Sequence, residues 1–137
     1  MSLVMCVGNF DPLHLGHIRH LQSARSYGSE LVVCVCPDSN CRLKGADRPY
    51  FQAQERLEAV RALSVVDRAI ISEPEDAIRL LCPDFYVKGP ECRNSQSERL
   101  QREIALVQAN CGRVVYTDDS IYSSTGLMEK LLRDLGI

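Results

Sequence analysis

Residues 2–20 read SLVMCVGNFDPLHLGHIRH. The apolar run up to Val7 has the character of a buried strand. Gly8 follows it, and from Leu15 onward Ile18, Leu21 and Ala24 recur with helical spacing. A strand passing through a short glycine-marked turn into a helix is the first half of a βα unit. All three histidines of the chain, His14, His17 and His20, fall at three-residue intervals across this junction. Spacing alone leaves three readings open: metal ligands, a catalytic group, or surface residues.

The pattern continues down the chain. A helix over residues 15–27 stops at Gly28, and ELVVCVC (30–36) follows as a nearly all-apolar strand, as expected where both faces are covered. Pro37–Pro49 is polar and reads as a loop, of a length that often carries function. Gln52–Leu63 reads as a helix and Asp67–Ser72 as a short strand. Pro74 suits the start of a helix through Leu81 and Pro83 its end. DFYVKG (84–89) is a fourth strand, Ser95–Asn110 an amphipathic helix, RVVYT (113–117) a fifth strand and Ser124–Leu135 a closing helix. Alternation without repeats or linker predicts one α/β domain over residues 1–137, a Rossmann-like three-layer sandwich with a five-stranded, mostly parallel sheet. Ligands of such folds sit beyond the carboxyl ends of the strands.

Composition sets the outer bounds. A chain of 137 residues, 45% apolar and 25% charged, is large enough for one real core. A net charge of −2 argues against nucleic acid as the main partner, and no apolar run approaches the roughly 20 residues of a membrane span. The seven cysteines are odd in number, form no C-x-x-C pair, and follow no signal-peptide pattern, so a reducing cytoplasmic setting with buried thiols is expected. No G-x-G-x-x-G follows a strand, which disfavours a dinucleotide-dependent oxidoreductase.

At the first strand–helix junction, Gly8 allows close backbone approach or an unusual dihedral. His14 and His17 lie one turn apart at a helix N-terminus, where unpaired amides and the dipole already favour an anion. Gly16 leaves room for a phosphate or base against the backbone. His20, a turn further on, reads as a surface residue. A zinc site from all three is disfavoured because the spacing sweeps around the helix.

GNFDPLHLGH resembles the G-x-F-D-x-x-H-x-G-H signature of the cytidylyltransferase-like nucleotidyltransferases, with every fixed position present. CRLKGADRP is similar to the R-x-K-G-x-x-R-P segment of the adenylyltransferase domain of ADP-heptose synthase, DFYVKGPE to its V-K-G-G-D segment, and YSSTGLMEKLL to the S-S-T element opening its last helix. Ser64 and Asp118 stand where the related glycerol-3-phosphate cytidylyltransferases carry arginines, and Glu91 and Cys92 replace an aspartate and an aromatic. The resemblance implies transfer of a nucleotidyl group from ATP or CTP to a phosphorylated small molecule, a sugar phosphate such as heptose 1-phosphate being the leading acceptor. Glycerol 3-phosphate, another phospho-alcohol or a phosphonate is the alternative, as is a non-catalytic nucleotide-binding module. It implies that His14, His17 and Lys44 serve the reaction and that Gly8, Asn9, Phe10, Asp11, Gly16, Lys88, Gly89, Ser123, Ser124 and Thr125 hold the nucleotide. Lys44, Arg48 and Arg56 are the acceptor-binding candidates. Mg²⁺ carried by phosphate oxygens rather than by a carboxylate cage, and a homodimer, complete the expectation.

Overall fold

The computed structural model describes residues 2–118 and 124–136, with residues 124 and 125 as backbone only. Strands β1 (Leu3–Gly8), β2 (Glu30–Val35), β3 (Arg68–Ile71), β4 (Phe85–Lys88) and β5 (Arg113–Tyr116) form one sheet in the order β3-β2-β1-β4-β5. Every neighbouring pair is parallel, so the expected mostly parallel sheet is wholly so. Helices α1 (Leu15–Arg25), α2 (Asp38–Arg42), α3 (Ala53–Arg61), α4 (Pro74–Leu81), α5 (Glu98–Ala109) and α6 (Ser124–Asp134) alternate with them.

Both faces of the sheet are covered, and the sequence carries the reason. In β2 every residue after Glu30 is buried, one alternate set to each side. Leu31, Val33 and Val35 pack with Val4, Leu21 and Ala24 of the α1 side and Leu57 and Val60 of α3. On the opposite face Met5, Cys34 and Tyr86 meet Ala77 and Ile78 of α4 and Val107 of α5. Each fully buried Leu, Ile or Val stabilises by about 1.5–3 kcal/mol. The chain runs outward from β1 to β3 and then returns to place β4 beside β1. The strand order therefore reverses between β1 and β4, and the crevice beyond their carboxyl ends is the expected ligand position.

One element departs from the sequence reading. Within Pro37–Pro49, expected from its polarity to be a loop, Asp38–Arg42 forms α2. Asp38 complements the amide end of this short helix and Arg42 its carbonyl end. Cys41 is its one buried residue, so five residues gave no apolar periodicity to detect.

Candidate active site

The head of α1 is capped by its own histidines. His14 is the N-cap in extended conformation (φ −143°, ψ 175°). The backbone N–H of His17 donates to His14 Nδ1 at 3.4 Å, and the N–H of His14 donates to His17 Nδ1 at 3.2 Å. This is the reciprocal geometry of a capping box with two imidazoles in the usual Ser/Thr and Glu/Gln places. The rings stack with centroids 3.7 Å apart and 22° between planes. A ring nitrogen that accepts carries no proton, so the hydrogen-bond pattern assigns the Nε2–H tautomer to both neutral rings. Burial pushes the His17 pKa down to about 3, with His14, His20 and Lys44 adding repulsion, and burial lowers His14 as well. At neutral pH the pair is two uncharged N–H donors at a helix N-terminus.

The turn before the helix is held from behind. A Cβ on Gly8 would lie 2.8 Å from the Phe10 ring, so the missing side chain makes room for that ring rather than for an unusual dihedral. Phe10 is buried, adopts φ +52°, and meets His17 edge-on at 4.9 Å and 64°. Asp11, 1% exposed, accepts from Arg48 Nε at 2.8 Å and from the amides of Tyr50 and Phe51 at 2.8–3.0 Å. Burial pushes its carboxyl up, but Arg48 and the two amides outweigh that and hold it below the ordinary carboxylate range. Arg48 is 5% exposed, also donates to the Asp11 carbonyl, and lies 4.4 Å from the Tyr50 ring centroid. Arg56, 1% exposed, donates to the carbonyls of Phe51, Asn9 and Cys36 and to the Asp38 carboxylate at 2.7–2.9 Å. Arg48 and Arg56 thus tie the Asn9–Asp11 turn to α2 and α3, and Arg56 has no place in the cleft wall.

A cleft of about 550 Å³ opens in front of this turn, in the range of small-molecule sites. It brings together Gly8, Asn9, Phe10, Asp11, His14, Gly16, His17, Lys44, Arg48, Lys88 and Gly89. Lys44 is exposed on the segment after α2. Lys88 holds its ammonium 5.2 Å from the Tyr86 ring centroid, on the α5 side. Ser123 lies outside the described residues, and α6 begins at Ser124. Sequence reasoning missed other lining residues. His20, read as a surface residue, faces the cleft with its Nδ1 3.1 Å from Thr117 Oγ1. Cys36, Cys92, Arg99 and Glu103 form the wall towards α5. Glu103 could have been noticed, since it interrupts the apolar stripe of Leu100 and Val107.

Among the described residues, no three His, Cys, Asp or Glu side chains cluster in a way that could hold a metal ion. The Asp11 carboxylate is spent on Arg48 and two amides. Nor is any helix of the described residues long and apolar enough to cross a membrane.

Residues 5–130 match the family described as cytidylyltransferase-like. An FAD synthase of Methanosarcina barkeri is 34% identical over 99% of this chain and 100% of its own length. A bifunctional protein HldE of Magnetococcus marinus is also 34% identical, over 95% of this chain but 27% of its own. The crystal structure of a lipopolysaccharide core biosynthesis protein from Thermoplasma volcanium superposes with a TM-score of 0.73 at 29% identity, covering 88% of this chain and 99% of that one. The expected tie to the heptose enzyme is thus matched in identity by a tie to FAD synthases along their whole length. By motif, fold and sequence the chain belongs to the cytidylyltransferase-like family and is a nucleotidyltransferase.

Proposed function

We propose that this protein transfers the adenylyl group of ATP to the phosphate of FMN, forming FAD and pyrophosphate. The observation that carries the transfer reading is the reciprocal cap of His14 and His17. It presents two neutral, fixed N–H donors at a helix N-terminus, in a cleft that also holds Lys44 and Lys88. The choice of acceptor rests on the FAD synthase relatives, which match this chain from end to end.

An FMN phosphate oxygen attacks the α-phosphorus of ATP as the α–β P–O bond breaks, and pyrophosphate leaves. A phosphate monoester has its second pKa near 6, so the nucleophile is already ionised at neutral pH and needs no general base. The barrier lies in joining two anions and spreading the charge that builds at phosphorus, a task for positioned donors. His14 and His17 donate through Nε2–H to the α- and β-phosphates. Their neutral state follows from burial, and it leaves them as donors whose Nε2–H is too weakly acidic to pass to the substrate. Lys44, on an exposed segment, draws the two anions together as a point charge. Asn9, Phe10, Asp11 and Gly16 shape the floor on which the nucleotide lies, with Gly8 making room for Phe10. Lys88 and Gly89 border the ribose and base. The SST element of the sequence, Ser123, Ser124 and Thr125, receives the departing β/γ end. Arg56 holds the turn from outside the cleft wall, while Arg48 holds it through Asp11 and also borders the cleft where the acceptor enters. Mg²⁺ on the phosphate oxygens would neutralise charge on the leaving pyrophosphate.

The second reading is a sugar phosphate acceptor, favoured by the HldE relative and by the RLKG and VKG segments. The purified protein with ATP or CTP, Mg²⁺, and FMN or heptose 1-phosphate decides between them by coupled pyrophosphate release and chromatography of the product. FAD formed from ATP and FMN is expected. Turnover of the sugar alone refutes the acceptor, and no pyrophosphate with any pair refutes the transfer reading in favour of a binding module.

A further inference from the structure

The cleft has a second polar end, on the α4–α5 side of the sheet beside Lys88, where the transfer chemistry gives no role to the carboxylate of Glu103. Glu103, in the middle of α5, is 4% exposed yet forms part of the cleft wall. Its Oε1 accepts from the hydroxyl of Tyr86, which is fully buried on β4, and its Oε2 lies 3.7 Å from Arg99 Nε. Arg99 donates in turn to Glu73 at 3.4 Å, and Glu73 accepts from Asn40 of α2 at 3.2 Å. A carboxylate this deep, held by one hydroxyl and one loosely placed guanidinium, is a poor device for stability. Leucine would complete the stripe of Leu100 and Val107 without desolvating a charge. A few polar groups placed in the wall of a mostly apolar cleft fix the orientation of what it binds.

The neighbours of Glu103 indicate what that is. Val7, Cys36, Pro74 and Cys92 make the wall at this end apolar or soft, with Glu103, Arg99, Lys88 and Glu91 as its charged groups. A polyol, with hydroxyls on all sides, would leave most of them unpaired there. A flat heteroaromatic ring bearing an N–H between two carbonyls gains two soft faces, an acceptor for its N–H and a donor for a carbonyl. Cys36, just after β2, and Asn40, within α2, belong to the segment that leads to Lys44, so this end is continuous with the residue given to the incoming phosphate.

We infer that Glu103, oriented by Tyr86 and Arg99, determines acceptor specificity by accepting a hydrogen bond from the imide N–H of a planar heteroaromatic ring, in FMN the N3–H. This rests on the FMN reading and extends it to the group that selects the ring. The test compares FMN with 3-methyl-FMN, which lacks the N–H, on the wild type and on Glu103→Gln, reading flavin fluorescence quenching and steady-state kinetics. The wild type should bind FMN about 10- to 100-fold more tightly than the methylated analogue, the range for a hydrogen bond to a charged group. Glu103→Gln should lose most of that discrimination with the KM for ATP unchanged within about twofold. Tyr86→Phe, freeing the carboxylate to turn, should reduce it in part and raise KM for FMN more than it lowers kcat. Should the variants fail to fold, the two ligands on the wild type still decide. Equal affinity for both flavins, or a Glu103→Gln effect confined to ATP, overturns the assignment. A wild type that neither binds nor adenylylates FMN overturns the acceptor reading and this assignment together.

Discussion

Replacing His14 by asparagine or by alanine separates the two tasks that its ring performs. In the structure His14 Nδ1 caps α1 and its ring stacks on His17, while Nε2–H is the group assigned to phosphate. Both substitutions remove the stack and the Nε2–H, so they share those losses. Only asparagine can still accept from the His17 amide, being among the best N-cap residues. The cap itself is long at 3.4 Å, which puts its worth in the lower part of the N-cap range, about 0.5–1 kcal/mol. For a chain of this length that is roughly 2–5 °C in Tm, at about 3–5 °C per kcal/mol. Thermal unfolding by circular dichroism should therefore find the alanine variant melting about 2–5 °C below the asparagine variant. In the pyrophosphate-release assay both should lose about 10²–10³-fold in kcat, the usual loss for one preorganised donor. Coincident melting would refute the cap. Near-normal turnover in the asparagine variant would refute the donor, and with it the role given to this helix head.

Acid should expose the neutral state of the pair. Because burial first, and then His14, His20 and Lys44, hold His17 near 3, the unfolded chain binds its proton on acidification before the folded chain does. The stabilisation is complete above about pH 6.5 and is lost as pH falls towards 3. Between pH 6.5 and 5, before carboxylates titrate, stability should drop by up to about 1.4 kcal/mol per pH unit, and His17→Gln should flatten that slope in urea titrations. Asp11→Asn leaves the Arg48 guanidinium buried without its carboxylate and should cost about 3–5 kcal/mol in urea unfolding; a loss under 1 kcal/mol would mean that the pair holds nothing. Lys44→Ala, at an exposed position, should leave Tm within about 1 °C while kcat falls at least about tenfold, and an unchanged rate would remove Lys44 from the reaction. Gly8→Ala should destabilise by about 1–3 kcal/mol as the new methyl meets Phe10 at 2.8 Å, and unchanged melting would show that the ring has room to move.

What could be read in the sequence is what lies close together along it. The five strands were legible because each is a short apolar run. The head of α1 was legible because Gly8, His14, Gly16 and His17 occupy ten consecutive residues. Arg48, Arg56 and Lys44 look alike in the sequence, three cations within thirteen residues. Their fates diverge through partners that no local pattern reveals: Asp11 lies 37 residues from Arg48, and the Asn9 and Cys36 carbonyls lie 47 and 20 residues from Arg56. The difference has a physical consequence for the site. Arg48 is neutralised by Asp11, and Arg56 is locked among three carbonyls and Asp38, so neither brings mobile positive charge to the cleft. They fix the backbone of the turn on which Phe10 and the two imidazoles stand, and positional accuracy there matters more than added charge, since a donor misplaced by 1 Å can cost about a hundredfold in rate. Lys44, exposed in the cleft wall, is the cation of the three proposed to meet the incoming anion. The histidine pair does not need the two arginines to stay neutral, because burial lowers both rings and Lys44 adds to it at His17, so the charge of Arg48 and Arg56 can be spent on holding the turn.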